Sequence, residues 1–409
     1  MIYGIVIILV SYFLAYRIID KVILVTNRKT QKSSLFLKNL FWYHLFLSVV
    51  YYVYALFNFS DSLHYYLKIV NDYRGTSWSH FYGTSTIFIE WFGYPFIKYF
   101  GFTYEAMMVL FSFFGFLGFV YFYKFFKERI RFSNKILGYD LLTLFFLLPN
   151  LHFWSGSFGK GSFIFLGIAL IFYSLNSVKN RWTLLILGSL ITYHIRPHIM
   201  FVILASSVVG FAFSNKGVGW GTRILMVLIS ALAFFFIYQD VLTAVGIDQG
   251  EELTQGLNLT NRARELSKAT SGIDITEYSL PSQVFTFLFR PLFFDAPGML
   301  GVIVSFENVF LLVLTILFIA RGGIWHIIKG DFLIKTSFLS FITVSIALAQ
   351  ISGNLGIAIR QKSQVMILFL FVIITLFDNN KMKIYRQNKL DKLRRIYYAK
   401  KNSTILSRS

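Results

Sequence analysis

Cysteine is absent from all 409 positions, so the chain has no disulfide, no thiol nucleophile and no Cys-ligated zinc or iron–sulfur site. Charge is scarce too. Asp, Glu, Lys and Arg together make up 14% of the residues, too few to cover a soluble protein of this length. There is no internal repeat and no glycine-rich nucleotide loop, since Gly156, Gly159 and Gly161 lack the spacing of one. Acidic residues are few: 19 against 39 Lys and Arg, for a formal net charge of +20. The basic residues form no groove with interleaved base-reading side chains, which argues against nucleic acid as a partner. They sit in short segments between apolar runs, as the positive-inside rule expects of a membrane protein.

Apolar residues are abundant, at 56% of the chain, and mean hydropathy is +0.62. They come in runs near the roughly 20 residues that a bilayer-crossing helix needs. The expected fold is all-α: a polytopic integral membrane bundle of about 11 transmembrane helices. The runs fall near 1–19, 39–57, 104–123, 136–152, 161–177, 182–195, 198–213, 223–246, 298–320, 336–352 and 364–378. The first has no basic residue before it and no small-residue cleavage site after it, so it is expected to be a membrane helix rather than a cleaved signal. With the N-terminus outside and the helices alternating, the cytoplasmic segments hold 28 of the 39 Lys and Arg. Acidic residues such as Asp61, Glu90, Glu105, Asp274 and Asp295 then fall outside. The implied organisation is residues 1–380 as the transmembrane domain and 381–409 as a basic cytoplasmic tail touching anionic lipid.

Two outer loops are too long to be simple turns: about 58–103 and 246–297. The first contains Ile87–Ile97, apolar but short and interrupted by Glu90 and Pro95, which predicts an interfacial or re-entrant helix.

Ionisable residues at a membrane rim are costly and therefore candidates for function. Asp61 stands where the chain leaves the second helix. It can deprotonate a hydroxyl or hold a divalent cation; alternatively Ser60 or Asp61 caps an interfacial helix running through His64. Asp72 and Arg74, in the same loop, are expected to pair. Lys160 lies among Gly and Ser at a helix start that favours an anion, or in an ordinary turn. Arg196, between His194 and His198 and before Pro197, needs a phosphate, a carboxylate or a headgroup as partner, or else snorkels. No third ligand is spaced with the two histidines, so no metal site is assigned to them. Arg290 and Arg360 complete the set; either can bind phosphate, or else Arg290 simply pairs with Asp295 and Arg360, with Lys362, simply marks an interface. By this topology all of them share the outer face. A lipid-linked pyrophosphate carrying sugars would need such a set: arginines for the phosphates, aromatics for sugar faces, a carboxylate for the acceptor hydroxyl.

Several stretches carry a resemblance. Asp61-Ser62-x2-Tyr65, Glu90-x3-Tyr94-Pro95, Phe100-Gly101-Phe102 and Phe122-Tyr123-Lys124-Phe125 resemble the opening of C-type (GT-C) integral membrane glycosyltransferases. They also resemble the related O-antigen and exopolysaccharide polymerases of bacteria. Phe153-Trp154-Ser155-Gly156 with Lys160, and Arg196-Pro197-His198, are similar to elements of the same surface-polysaccharide proteins. The resemblance implies transfer of a sugar or oligosaccharide from a polyprenyl-phosphate-linked donor to a hydroxyl acceptor at the periplasmic face. Asp61 would then be the base, Arg196, Arg290 and Arg360 the phosphate holders, and His64, Lys160 and His198 further substrate contacts. The pattern departs from the family in one respect. Asp61 has no acidic neighbour and follows the second helix rather than the first, which leaves a divalent cation open. The alternative reading is a transporter or flippase of lipid-linked saccharides, for which Asp140 and Glu307 would be the intramembrane charges.

Overall fold

Local signals set the helix ends. Asn27 opens α2 (Arg28–Phe57) with a capping box: its side chain accepts from the Lys29 and Thr30 amides at 2.9 and 3.0 Å, and Thr30 Oγ1 accepts from the Asn27 amide at 3.0 Å. Thr103 caps α5 (Tyr104–Arg129), which carries Glu105 in its first turn and Lys127 and Arg129 in its last, each sign matching the helix dipole. Asp331 caps α14 (Phe332–Ala349).

The computed structural model describes residues 2–24, 26–136, 138–214, 272–296 and 298–406, with a few isolated positions between 215 and 271. Among the described residues the protein is α-helical apart from one two-stranded hairpin, β1 (Lys135–Ile136) and β2 (Tyr139–Asp140), and an isolated bridge between Gly272 and Asn354. α1 is Ile2–Ile23, and between α2 and α5 lie α3 (Asp61–Val70), a 3₁₀ turn at Trp78–Phe81 and α4 (Thr86–Lys98). After the hairpin come α6 (Leu141–Phe146), α7 (Pro149–Ser155), α8 (Lys160–Leu175), α9 (Val178–Ile195) and α10 (Pro197–Ala212). The chain resumes with α11 (Leu280–Phe289), α12 (Gly298–Ala320), α13 (Gly323–Ile328), α14 and α15 (Leu355–Leu406). Among the described residues five helices are long and apolar enough to cross a membrane: α2, α5, α12, α14 and α15. This is an all-α protein with the helices of a membrane protein.

α5 and α8 form the centre. Phe111, Phe116, Phe119, Phe122, Phe125 and Phe126 of α5 are fully buried, as are Phe165 and Phe172 of α8. Phe125 continues this aromatic seam to Phe371 of α15, with ring centroids 4.3 Å apart. His152 lies flat on Phe119 at 4.0 Å and meets His44 of α2 with their Nδ1 atoms 2.9 Å apart.

Two expected spans differ, and a third is not described. The run at 136–152 is not one helix. Gly138, at φ +87°, turns the hairpin, Asp140 caps α6, and Leu147–Leu148 breaks the chain before Pro149, whose missing N–H opens α7. The span at 364–378 is the buried first part of a single helix that continues through the basic tail; its 52 residues make about 78 Å at 1.5 Å each. The run at 223–246, and most of the second outer loop, lie outside the described residues. The interfacial segment in the first loop is the helix α4, with Pro95 inside it and Glu90 buried.

Candidate active site

Four of the seven residues singled out in the sequence line one cleft: Asp61, Lys160, Arg196 and Arg360. They arrive on different elements. Ser60 is the cap of α3, its Oγ accepting from the Ser62 amide at 3.3 Å, so Asp61 is the first helical residue and its carboxylate is not used in capping. Lys160 is the first residue of α8. Arg196 sits in the extended break between α9 and α10, followed by Pro197 at the start of α10. Arg360 lies in the second turn of α15 and donates from Nη1 to Asp61 Oδ2 at 2.5 Å.

Close backbone packing holds this geometry. A Cβ on Gly161 would lie 2.1 Å from the Trp154 carbonyl oxygen, and one on Gly115 1.9 Å from that of Ser155. Only glycine lets α7 and the start of α8 fold back so tightly onto each other and onto α5. Ser85 straps the outer loop to the cleft. Its amide donates to the His194 carbonyl at 2.6 Å, its Oγ accepts from Lys160 Nζ at 3.0 Å, and its φ of +61° is rare for a residue with a side chain. Beneath, Ser62 Oγ bridges Ser60 Oγ at 2.7 Å and Tyr104 Oη at 2.6 Å, and Ser60 Oγ meets Tyr51 Oη at 3.1 Å.

The cleft holds three cations and one carboxylate. Its aromatic wall includes Trp154, whose ring centroid lies 5.9 Å from the Arg360 guanidinium, and Tyr65. Burial, followed by the charge of Asp61, pushes the Tyr65 hydroxyl up to about 12, so it stays protonated and available as a donor. Gln364, one turn along α15 from Arg360, is 3% exposed, and its Oε1 has no hydrogen-bond donor among the described residues. A buried amide oxygen left so is costly, so it takes its donor from a water or from a ligand in the cleft. The free volume is only about 20 Å³, room for roughly one water. A larger ligand must part the Asp61–Arg360 pair or shift the side chains beside it.

The other three predicted residues lie elsewhere. His64 is on the exposed face of α3 and contacts Phe59 at 6.4 Å. Arg290 donates to Asp295 Oδ2 at 2.5 Å, a local pair outside the cleft. His198, in the first turn of α10, is half-buried and does not line it. The expected pairing of Asp72 with Arg74 is corrected: Arg74 pairs with buried Glu90 at 2.6 Å, and Asp72 with Lys98 at 2.8 Å. The left-handed backbone of Asp72, at φ +49°, turns the chain between them. Asp140 is a helix cap, and Glu307 accepts from the Asn150 amide at 2.7 Å. Among the described residues no three His, Asp or Glu side chains gather where a metal ion would be held.

Sequence reasoning passed over Gln364, Tyr51 and Ser62. Only Ser62 carried a signal, as part of the Asp61-Ser62-x2-Tyr65 motif. No protein-family model, no curated protein and no solved structure matches this chain.

Proposed function

We propose that the protein is a membrane glycosyltransferase or polysaccharide polymerase. It transfers a sugar or oligosaccharide from a polyprenyl-phosphate-linked donor to a hydroxyl acceptor, at the periplasmic face of a bacterial inner membrane. The observation that carries this reading is the convergence of Asp61, Lys160, Arg196 and Arg360 on one cleft, together with the orphan acceptor of Gln364. Three cations about one carboxylate suit a diphosphate with an acid–base step beside it. The orphan amide oxygen suits a sugar hydroxyl. The resemblance to C-type transferases and repeat-unit polymerases rests on the same positions.

In this reaction the acceptor oxygen bonds to the donor's anomeric carbon as the bond from that carbon to the phosphate oxygen breaks. The acceptor proton passes to the Asp61 carboxylate. The lipid phosphate leaves as an anion held by Lys160, Arg196 and Arg360, a positioning and electrostatic role. Entry of the phosphate competes for the guanidinium of Arg360, which releases Asp61 to act as base.

The test is turnover of lipid-linked saccharide by purified, correctly inserted variants. Asp61→Asn should slow turnover by about 10²–10⁴-fold, the usual span for a general base. Arg196→Ala should raise the donor KM. Unchanged turnover in both, from stable protein, would overturn the reading. Substrate-dependent flux of intact lipid-linked saccharide across proteoliposomes, without transfer, would instead favour a flippase.

A further inference from the structure

A second and larger cavity lies at the other end of the bundle. Arg360 and Asn380 lie on the same helix, α15, and their separation along it is about 30 Å at 1.5 Å per residue. That is about the hydrocarbon thickness of a bilayer. Asn380 lines a cavity of about 650 Å³, bounded by the ends of α5, α12 and α14, by α13, and by the emerging stretch of α15. The candidate active site and this cavity therefore sit at opposite faces.

The cavity collects basic side chains from four separate segments: Arg129 and Arg131 at the end of α5 and just past it, Arg321 just past α12, Lys329 after α13, and Lys383 and Arg386 on α15. Three carboxylates also line it, and each is already engaged. Glu128 holds Arg181 at 2.7 Å and Asn176 Nδ2 at 2.6 Å. Asp331 binds Arg129 and caps α14. Asp378, 4% exposed, accepts from the Arg131 and Phe132 amides at 3.0 and 2.7 Å. Of the six cations only Arg129 is neutralised. Arg131, Arg321, Lys329, Lys383 and Arg386 have no carboxylate partner among the described residues. Arg321 and Lys329 instead lie over the Phe377 and Trp325 rings, at 4.6 and 5.5 Å.

Loop cations that only maintain sidedness would be spread over the surface. Here five cations without a carboxylate partner face one volume, against one carboxylate, Asp378, that is held by backbone amides alone, at the depth where a helix leaves the bilayer. Trp325 beside them is 65% exposed, as an interfacial anchor would be. Basic pockets between membrane helices on this face suit multiply charged phosphate headgroups.

We infer that this cavity is a binding site for an anion bearing two phosphates, presented at the membrane surface opposite the candidate active site. Arg131, Arg321, Lys383 and Arg386 hold the phosphates, and the open side along Trp325 admits an acyl chain. The site is independent of the transfer reaction proposed above. None of its residues belongs to that cleft.

The experiment is native mass spectrometry of the full-length protein in detergent, with three probes: cardiolipin, phosphatidylcholine and inorganic pyrophosphate. Cardiolipin should be retained at a concentration at least tenfold below that needed for phosphatidylcholine. The exposed double variant Arg321→Gln/Arg386→Gln should lose that preference, and Arg321→Lys/Arg386→Lys should keep most of it. Displacement of cardiolipin by pyrophosphate would place the recognition in the phosphates alone. Retention of cardiolipin undisturbed by pyrophosphate would identify a lipid headgroup, and pyrophosphate binding without cardiolipin a soluble diphosphate. Equal retention of both lipids with no pyrophosphate bound, or identical behaviour of wild type and the Gln variant, would overturn the inference.

Discussion

Arg360 has two competing partners in the proposed reaction. In the structure it holds Asp61 at 2.5 Å, and with donor bound it holds phosphate. Removing it frees the base but loses a charge-assisted contact worth about 1.5–3 kcal/mol. Arg360→Ala should therefore raise the donor KM by roughly ten- to a hundredfold, by the same contact energy. Arg360→Lys should recover only part of that, because an ammonium cannot make the paired planar contacts of a guanidinium. Steady-state kinetics on the two variants would check this, and equal KM for wild type and Arg360→Ala would refute it. Gln364 offers a second test at the same scale. Gln364→Leu removes a buried acceptor with no protein donor, so it should leave folding intact and weaken saccharide binding. A loss of thermal stability with unaltered KM would mean that the amide serves packing instead. The cleft's charged members were legible in the sequence because a lone Asp, Lys or Arg at the end of an apolar run is conspicuous. Gln364 was not: a neutral amide inside an apolar helix has no signature. For Arg290 the structure shows the alternative legible in the sequence, a local pair with Asp295 five residues on. His64 fails on helical period. Ser62, Tyr65 and Ile69 form the buried stripe of α3, and His64, two positions after Ser62, falls on the far side.

At the level of elements, two glycines decide whether the cleft forms. Gly161→Val would drive its side chain into the Trp154 carbonyl and force α8 away from α7, carrying Lys160 with it. Overpacking of this kind costs typically 1–3 kcal/mol. The variant should lower the melting temperature and abolish turnover together, whereas Gly4→Ala, inside the helix α1 with nothing within 4 Å, should retain near-full turnover. At the opposite face, α13 carries a titration of its own. His326 Nε2 meets Thr375 Oγ1 at 3.0 Å, with Asn379, Asp331 and Lys383 nearby. Burial lowers its pKa from 6.5 to about 4, against the pull of Asp331 and with the help of Lys383. The folded protein thus prefers the neutral ring. Its stabilising contribution is complete above pH 6.5 and fades as the unfolded chain takes up the proton on the way down to about pH 4. His326→Gln should flatten that part of the stability–pH curve in thermal melts; an unchanged curve would remove His326 as its source. Helices were the best-read elements because long apolar runs admit little else. The stretch 136–152 was misjudged because hydropathy averages over Gly138 and Pro149, which break the run by backbone geometry and not by polarity. The continuity of α15 was hidden for the opposite reason: hydropathy stops at the basic tail while helix hydrogen bonding does not.

For the whole molecule, both sites depend on one vector, the direction of α15 across the bilayer. Its apolar first part is buried against α5, α8 and α14, and its charged second part leaves the bundle. The cation-rich cavity marks the end where it leaves, and the proposed function requires that end to face the cytosol, as the positive-inside rule would place it. The cleft of Asp61 and Arg360 would then open to the periplasm. The absence of cysteine makes this directly measurable, since any introduced thiol is the only one present. Ser79→Cys lies in the exposed outer loop near the cleft. Tyr139→Cys lies in the hairpin that follows Arg131, where the native side chain is 69% exposed. In intact cells a membrane-impermeant maleimide should label Ser79→Cys and leave Tyr139→Cys untouched until the membrane is opened. Labelling of Tyr139→Cys alone would invert the protein, putting the cleft on the side of nucleotide sugars rather than of lipid-linked donors already carried across. Labelling of both in intact cells would place the two sites at one face. The length of α15 between them would then have to run along the membrane instead of through it, and neither the transfer reaction nor the opposed phosphate site would stand as described.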